Sequence, residues 1–425
     1  MKRILVLASA LMVCVSAMAQ EETPSKFKLY GFIRNYMAGD SHAVNAGTED
    51  LYFYMPKDVD MKDGVDLNGT FNWRFASLTT RLGLDVSGYK WGTLNLSGKV
   101  EADFYCLNGS VATLRLRQAF MKLRWDDNPV SLTVGQLWHP VAADMPHLTN
   151  LETGAPFNPF NRSPQLTADV NLGGGFSFTA SLLYLNHYLP TGPDGKSKDY
   201  FKYGLPEFYM GFTYKDAHFT GKVGLDMVNT KPIGFVGLKG GALARGYNMD
   251  SRTAKASGIL TTFSPFVFLQ YTGGSFQVRA KSMLAQSGEH MNLLSGYGLS
   301  SIDDVNYKYT YTPMRDWASF VSFSYGKKFQ VLGMLGYMKQ LGTTEDLVAP
   351  LWLNSAADTR IQQAFRATPT VAWNLGKFTV SLEYNYTLAE FGNADAARNA
   401  RGLFEAGNTH WVHNHRILCM TKFNF

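Results

Sequence analysis

Leu94-Asn95-Leu96-Ser97-Gly98-Lys99-Val100-Glu101-Ala102-Asp103-Phe104-Tyr105-Cys106 decides the fold. Leu94, Leu96, Gly98, Val100, Ala102, Phe104 and Cys106 share one parity, and Asn95, Ser97, Lys99, Glu101, Asp103 and Tyr105 hold the other. Successive residues of a strand point to opposite faces, so one face is apolar and the other carries charge. Phe378, Val380, Leu382, Tyr384 and Tyr386 repeat the pattern against Thr379, Ser381, Glu383, Asn385 and Thr387, as do Phe276, Val278 and Ala280 against Gln277, Arg279 and Lys281. A soluble sandwich alternates too, but its strands run to about 5–6 residues. The longer runs here reach about 9–14 residues, enough to cross a bilayer at a tilt.

Sixteen such strands are expected, near 27–37, 70–86, 93–106, 112–125, 130–138, 165–172, 176–186, 206–215, 218–228, 257–271, 276–286, 315–325, 329–340, 361–373, 378–390 and 411–425, with the sixth the faintest. Connections after even strands are tight: Gly88 to Gly92, Asp126-Asp127-Asn128, Gly173-Gly174-Gly175, Asp216-Ala217, Gly273-Gly274, Gly326-Lys327-Lys328 and Leu375-Gly376. Those after odd strands are mostly long, roughly 20–30 residues, well beyond ordinary loops; Asn108-Gly109-Ser110 is the exception. The expected fold is therefore all-β: a transmembrane antiparallel β-barrel of about 16 strands with short periplasmic turns and long external loops.

Turn chemistry fixes trial registers. A Gly273-Gly274 turn sets Tyr271 opposite Phe276, Leu269 opposite Val278 and Val267 opposite Ala280; a Leu375-Gly376 turn sets Trp373 opposite Phe378 and Val371 opposite Val380. A three-residue loop at Asn108-Gly109-Ser110 sets Phe104 opposite Leu114, Ala102 opposite Leu116, Asp103 opposite Arg115 and Glu101 opposite Arg117. A dry core would bury those ion pairs at a cost, whereas a water-filled interior tolerates them. Pro265 and Pro369 fall inside strands and predict bulges, and the parity change after Arg117 predicts another near Gln118.

Composition agrees. The 425 residues are only 17% charged and 14% aromatic, with 40 glycines, which excludes disordered, collagen-like and heptad-rich chains. Three cysteines exclude a disulfide scaffold, and a dispersed net charge of +6 gives no nucleic-acid footprint. A mean hydropathy of −0.14 argues against a helical membrane protein. Lys2 and Arg3, the apolar run Ile4 to Val15, and Ala17-Met18-Ala19 read as a signal peptide over 1–19, leaving a barrel over 20–425 with formal charge +4. Cys106 and Cys419, which survive cleavage, read as small apolar strand residues. The terminal Phe425, with Phe423, Cys419 and Ile417 in phase, resembles the signal that hands barrels to their insertion machinery.

The chain resembles porins of the Bacteroidetes type. The likeness rests on Gly31-Phe32-Ile33-Arg34-Asn35, Gly98 to Phe104, Arg115-Leu116-Arg117-Gln118-Ala119-Phe120 and Val134-Gly135-Gln136-Leu137-Trp138-His139-Pro140. Its most specific stretch is Gly154-Ala155-Pro156-Phe157-Asn158-Pro159-Phe160-Asn161-Arg162-Ser163-Pro164-Gln165, and only the first half of the chain matches convincingly. The resemblance implies a Gram-negative outer-membrane channel for small polar solutes, leaves a homotrimer open, and implies no catalytic residues or cofactor. By analogy with general porins, the third external connection, 139–164, is the constriction candidate; the alternative is a loop packed on its own rim.

Inward charges expected to line the pore are Lys99, Glu101, Asp103, Arg115, Arg117, Arg279, Lys281, Arg366, Glu383 and Arg416, with Asp226 among the acids and Arg162 in the constriction segment. Paired, they keep the lumen wet; in surplus, the cations give a weak anion preference. His413 and His415 read as interfacial aromatics rather than metal ligands, and Trp73, Tyr89, Trp91, Trp125, Trp138 and Trp317 as girdle residues. Lys239-Gly240-Gly241 lies in a long loop and is no phosphate cradle. The leading expectation is a passive diffusion channel partnered by outer-membrane lipid. The alternatives are a substrate-specific channel for an anion or glycan, a surface adhesin, and a barrel hydrolase, for which no spacing singles out a Ser–His pair.

Overall fold

The computed structural model describes residues 26–47, 50–108, 111–186, 204–236, 254–303, 305–348, 351–353 and 359–425. The expected signal peptide, Gly109-Ser110 and Lys239-Gly240-Gly241 therefore lie outside the described residues. Sixteen antiparallel strands span the molecule. They are β1 (Phe27–Asp40), β2 in two segments (Asn72–Ala76 and Arg81–Trp91), β3 (Leu94–Asn108), β4 (Val111–Trp125), β5 (Val130–Trp138), β6 (Arg162–Gly173), β7 (Phe176–Leu183) and β8 (Leu205–Lys215). There follow β9 (Phe219–Thr230), β10 (Leu260–Gly273), β11 (Phe276–Gln286), β12 (Lys308–Gly326), β13 (Phe329–Thr343), β14 in two segments (Ile361–Ala367 and Thr370–Leu375), β15 (Phe378–Gly392) and β16 (Thr409–Asn424).

Each strand pairs with the next, and β1 pairs with β16 from Phe32 opposite Asn424 to Asp40 opposite Arg416, so the sheet has no free edge. Closure satisfies every ladder within the sheet, the condition for a sheet to live in lipid. The outer face is apolar: Leu116, Val321, Leu335 and Leu382 are each about half exposed, while their inward neighbours Arg117, Phe320, Gly336 and Glu383 are covered. An exposed apolar girdle of this extent is unstable in water and stable against hydrocarbon. At the seam, Gly31 exchanges backbone hydrogen bonds with Phe425 (3.3 and 3.1 Å), and the Phe425 ring lies where a Cβ on residue 31 would sit. Only glycine admits that ring.

Alternation gives the faces correctly, but the hairpin partners need correction. Phe276 lies opposite Gly273 and Val278 opposite Tyr271; Phe378 lies opposite Leu375 and Val380 opposite Trp373. Both registers sit two residues from expectation because Gly274 and Gly376, each near φ +60°, take the first central turn position rather than the second. A shift of two preserves parity, so the apolar faces survive it. In β3–β4 the partners Phe104–Leu114, Ala102–Leu116 and Asp103–Arg115 hold, while Glu101 lies opposite Gln118. Arg117 is thus the extra residue of a bulge, which restores the apolar parity beyond it.

The prolines do not bulge. Pro265 pairs with Leu225 in an unbroken β9–β10 register, and the β14–β15 register is the same on either side of Pro369. Each proline removes one potential ladder donor without moving a partner. The Gly88 turn is also displaced: β2 runs on to Trp91, with the register shift between Val86 and Tyr89, and the chain reverses at Gly92-Thr93. β6 begins at Arg162, so the third long connection ends at residue 161, and Pro164 sits inside the strand opposite Gln136.

Three long connections turn inward. L1 (41–71), L3 (139–161) and L6 (287–307) meet inside the barrel, where Tyr52, Tyr54, Phe157, Phe160, Met291 and Leu293 form a buried apolar cluster with wall residues such as Phe268, Phe320 and Met338. L6 grips both partners. Asn292 accepts from the Tyr54 hydroxyl through its carbonyl (2.8 Å) and donates its amide to the Tyr52 hydroxyl (2.6 Å), while Met291 O accepts from Phe160 N (2.8 Å).

Candidate functional site

The strands present their inward charges to these loops. On β11, Lys281 Nζ donates to Val141 O (2.6 Å), Asp144 O (3.0 Å) and Asn158 Oδ1 (3.0 Å), and Arg279 Nη1 donates to Met145 O (2.7 Å). On β15, Glu383 accepts from Thr149 N (3.0 Å), Thr149 Oγ1 (3.0 Å) and Asn150 Nδ2 (2.7 Å). On β14, Arg366 Nη1 donates to Ala155 O (2.9 Å), Nη2 to Tyr54 O (2.6 Å) and Nε to Thr387 Oγ1 (2.9 Å). L3 is thereby tied to three strands across the lumen. On β16, Arg416 clasps Asp40 through Nε and Nη2 (both 2.9 Å) and donates to the Asp50 and Leu51 carbonyls of L1.

Lys99, Glu101, Asp103, Arg115 and Arg117 form one network on β3 and β4. Arg115 Nε donates to Asp103 Oδ1, Arg117 Nε to Glu101 Oε1 and Arg117 Nη1 to Asp103 Oδ2, each at 2.8 Å. Lys99 pairs with Asp85 at 2.8 Å and donates to the Tyr30 hydroxyl. The expectation that open water bathes the acids is corrected: Glu101 is 5% exposed and Asp103 fully covered, and charge-assisted hydrogen bonds replace their hydration. Arg34, Arg81 and Lys422 stand beside this network around the Phe32 ring, at 4.8, 4.9 and 5.6 Å from its centroid. Sequence parity could have found Arg34 and Lys422, since their neighbours Ile33 and Phe423 face outward.

Diametrically across the ring, β9 and β11 carry Lys222, Arg279 and Lys281, with Asp144 of L3 between them; Lys222 Nζ lies 2.7 Å from Asp144 Oδ2. Cations outnumber carboxylates in both clusters. Arg162 lies at the root of L3, its guanidinium 4.5 Å from the Trp138 ring and 5.4 Å from Phe160, with Arg117 of the first cluster 5.9 Å from the same Trp138 ring. Trp138 accordingly packs on the L3 root instead of joining a girdle, beyond a kink at Gly135 with φ +134°. Trp73, Tyr89, Trp91 and Trp317 do face outward. His413 and His415 also face outward, their rings tilted against Tyr386, with His415 Nδ1 2.6 Å from the Tyr384 hydroxyl.

One L3 acid has a poised charge. Glu152 is fully buried, 3.8 Å from Arg366, and neither of its oxygens has a hydrogen-bond partner among the described residues. Burial pushes its carboxyl up to about 7, against the pull of Arg366 and Arg416. The folded protein then holds a proton that the unfolded chain has already lost. The associated stability is complete below about 4.5 and vanishes as pH rises through about 7. The expected result is a midpoint of thermal unfolding that falls between pH 5 and pH 8, by the equivalent of about 3 kcal/mol. Glu152→Gln flattens that fall; a variant retaining the wild-type slope removes Glu152 as its source.

Fold and lumen together define a closed sixteen-stranded transmembrane barrel with in-folded loops. No family model matches the chain, and no curated protein does. Among solved structures it is similar to the outer membrane channel DcaP of Acinetobacter baumannii, with TM-score 0.63 and 16% identity over 96% of this chain and 100% of that one. It is also similar to an anion-selective porin from Comamonas acidovorans, with TM-score 0.54 and 10% identity over 94% and 99% of the two chains. OmpT, an outer-membrane protein of Vibrio cholerae, gives TM-score 0.52 and 12% identity over 96% and 100%. Identities this low speak to the shared barrel.

Proposed function

We propose that the protein is a porin of the Gram-negative outer membrane, a passive diffusion channel for small polar solutes that favours anions. The observation that carries this reading is the surplus of cations on two opposite walls of a closed barrel, with L3 crossing between them. Such surfaces raise the local concentration of anions and lower their entry barrier. L3 acts as the constriction, and its motif Gly154 to Gln165 supports placement among Bacteroidetes-type porins. Phe425 at the seam is the handle for barrel insertion, homotrimer formation is the expected assembly, and the channel performs no chemical step.

Salt-gradient recordings on single channels test the charge. Arg115→Ala combined with Arg117→Ala leaves Glu101 and Asp103 with fewer counter-charges and should lower the anion-to-cation permeability ratio several-fold. An unchanged reversal potential refutes a permeation role for the pair. A substrate-specific channel is the second reading, favoured by the number of loops that fill the lumen. Concentration-dependent block of current by a small anion or glycan distinguishes it from simple diffusion.

A further inference from the structure

We propose that His139, Glu207, Asp226 and His290 form a structural binding site for a four-coordinate divalent cation of the zinc type. The four come from four elements: the root of L3, β8, β9 and the short 3-10 turn Glu289–Met291 of L6. All are buried, and one donor atom from each lies within 4.8 Å of all the others. His139 Nε2 is 2.7 Å from Glu207 Oε1, and His290 Nε2 is 3.2 Å from the same atom. Each imidazole nitrogen is 3.8 Å from an Asp226 oxygen, His139 from Oδ1 and His290 from Oδ2. Ligands about 2.0–2.1 Å from a tetrahedral zinc stand roughly 3.3 Å apart, in the middle of this range.

A web of ion pairs alone accounts for the group less well. Among the described residues, neither oxygen of Asp226 has a hydrogen-bond partner, nor does Glu207 Oε2, although both residues are fully buried. A buried carboxylate without hydrogen bonds is costly, and these two stand side by side. A dication between neutral imidazoles cancels both charges and gives the orphaned oxygens a partner. Two nitrogen and two carboxylate donors suit zinc; calcium needs six to eight oxygens, and magnesium keeps several waters. Four protein ligands leave no open position, so the role is structural.

The backbone supports this arrangement. The β8–β9 register shifts between Leu205 and Phe208, and the resulting bulge at Pro206-Glu207 aims Glu207 into the group. His139 N donates to Asn161 O (3.1 Å), closing the neck of L3, and Asn161 donates its side-chain amide to His290 O. A cation here would clamp the neck of L3 and the turn of L6 to the barrel wall. Val141 N donates to His139 Nδ1 (3.2 Å), and ligation through Nε2, which puts the ring proton on Nδ1, would break that bond.

The test uses the full mature protein, folded in detergent, stripped with a chelator and dialysed. Zinc content is then measured after exposure to zinc alone, and the visible bands of four-coordinate cobalt are followed on titration with cobalt alone. The expected result is about one ion per chain and tetrahedral cobalt bands, with affinity lowered at least roughly 100-fold in His290→Ala and in the near-isosteric Asp226→Asn. Asp226→Asn keeps the proposal testable if His290→Ala fails to fold. A folded wild-type barrel that binds neither ion overturns the proposal and leaves an ion-pair cluster. Variants that bind as tightly as wild type overturn it as well.

Discussion

Arg366→Met should free L1 and L3 from the barrel wall, raising single-channel conductance and current noise and opening L1 to protease. The guanidinium is fully buried and reaches one carbonyl on each loop, Tyr54 O and Ala155 O, while Nε holds Thr387. The Phe53 and Phe157 rings flank it at 4.6 and 5.1 Å. Methionine fills much of the volume but offers no donor. Two loop carbonyls then lose their partner, and Glu152 loses its nearest cation. Breaking one side of such a buried set costs about 3–5 kcal/mol. Arg366→Lys should recover little, because one ammonium cannot serve three directions at fixed angles. Unchanged conductance together with an unchanged cleavage pattern would falsify this assignment.

Arg416→Met should lower the unfolding midpoint of the whole barrel. Arg416 and Asp40 lie opposite each other across the β1–β16 seam, both covered, and Asn414 Nδ2 donates to the same carboxylate at 2.7 Å. Arg74 also reaches Asp40, so the acid keeps one cation when Arg416 is lost. The expected loss is about 1–3 kcal/mol, smaller than for a bare buried charge because Arg74 remains, read from heat-dependent migration or denaturant unfolding. Removing both partners, Asp40→Asn with Arg416→Met, should recover part of it, since the buried carboxylate is then gone and Arg74 keeps Asp50 at 3.4 Å. A double variant as unstable as the sum of its parts would show that the pair does not act as a unit.

These arginines show what the sequence could and could not reveal. Parity alone places Arg366, Arg416, Lys281 and Glu383 on the inner face, and the structure puts them there. The loop groups they meet are largely main-chain carbonyls and amides, joined by the side chains of Thr149, Asn150 and Asn158, and no strand pattern encodes which loop each one reaches. A local signal for L1 did exist: Leu51-Tyr52-Phe53-Tyr54-Met55 is an unbroken apolar run within a connection, and all five are buried. A lipid-facing strand would alternate, so a run without alternation points to a segment covered on both sides. The bulge at Arg117 was legible from its parity break, whereas the hairpin registers depended on which turn position the glycine takes. His139, Glu207, Asp226 and His290 share no spacing, and only the closed ring brings them together.

The clasp of Arg416 on Asp40 also couples closure of the ring to the seating of L1. The first and last strands meet only once the final residues have emerged, and the same guanidinium holds L1 from within. A chain halted before β16 would be left as a curved open sheet, with one edge of β1 unpaired and no Arg416 to hold L1.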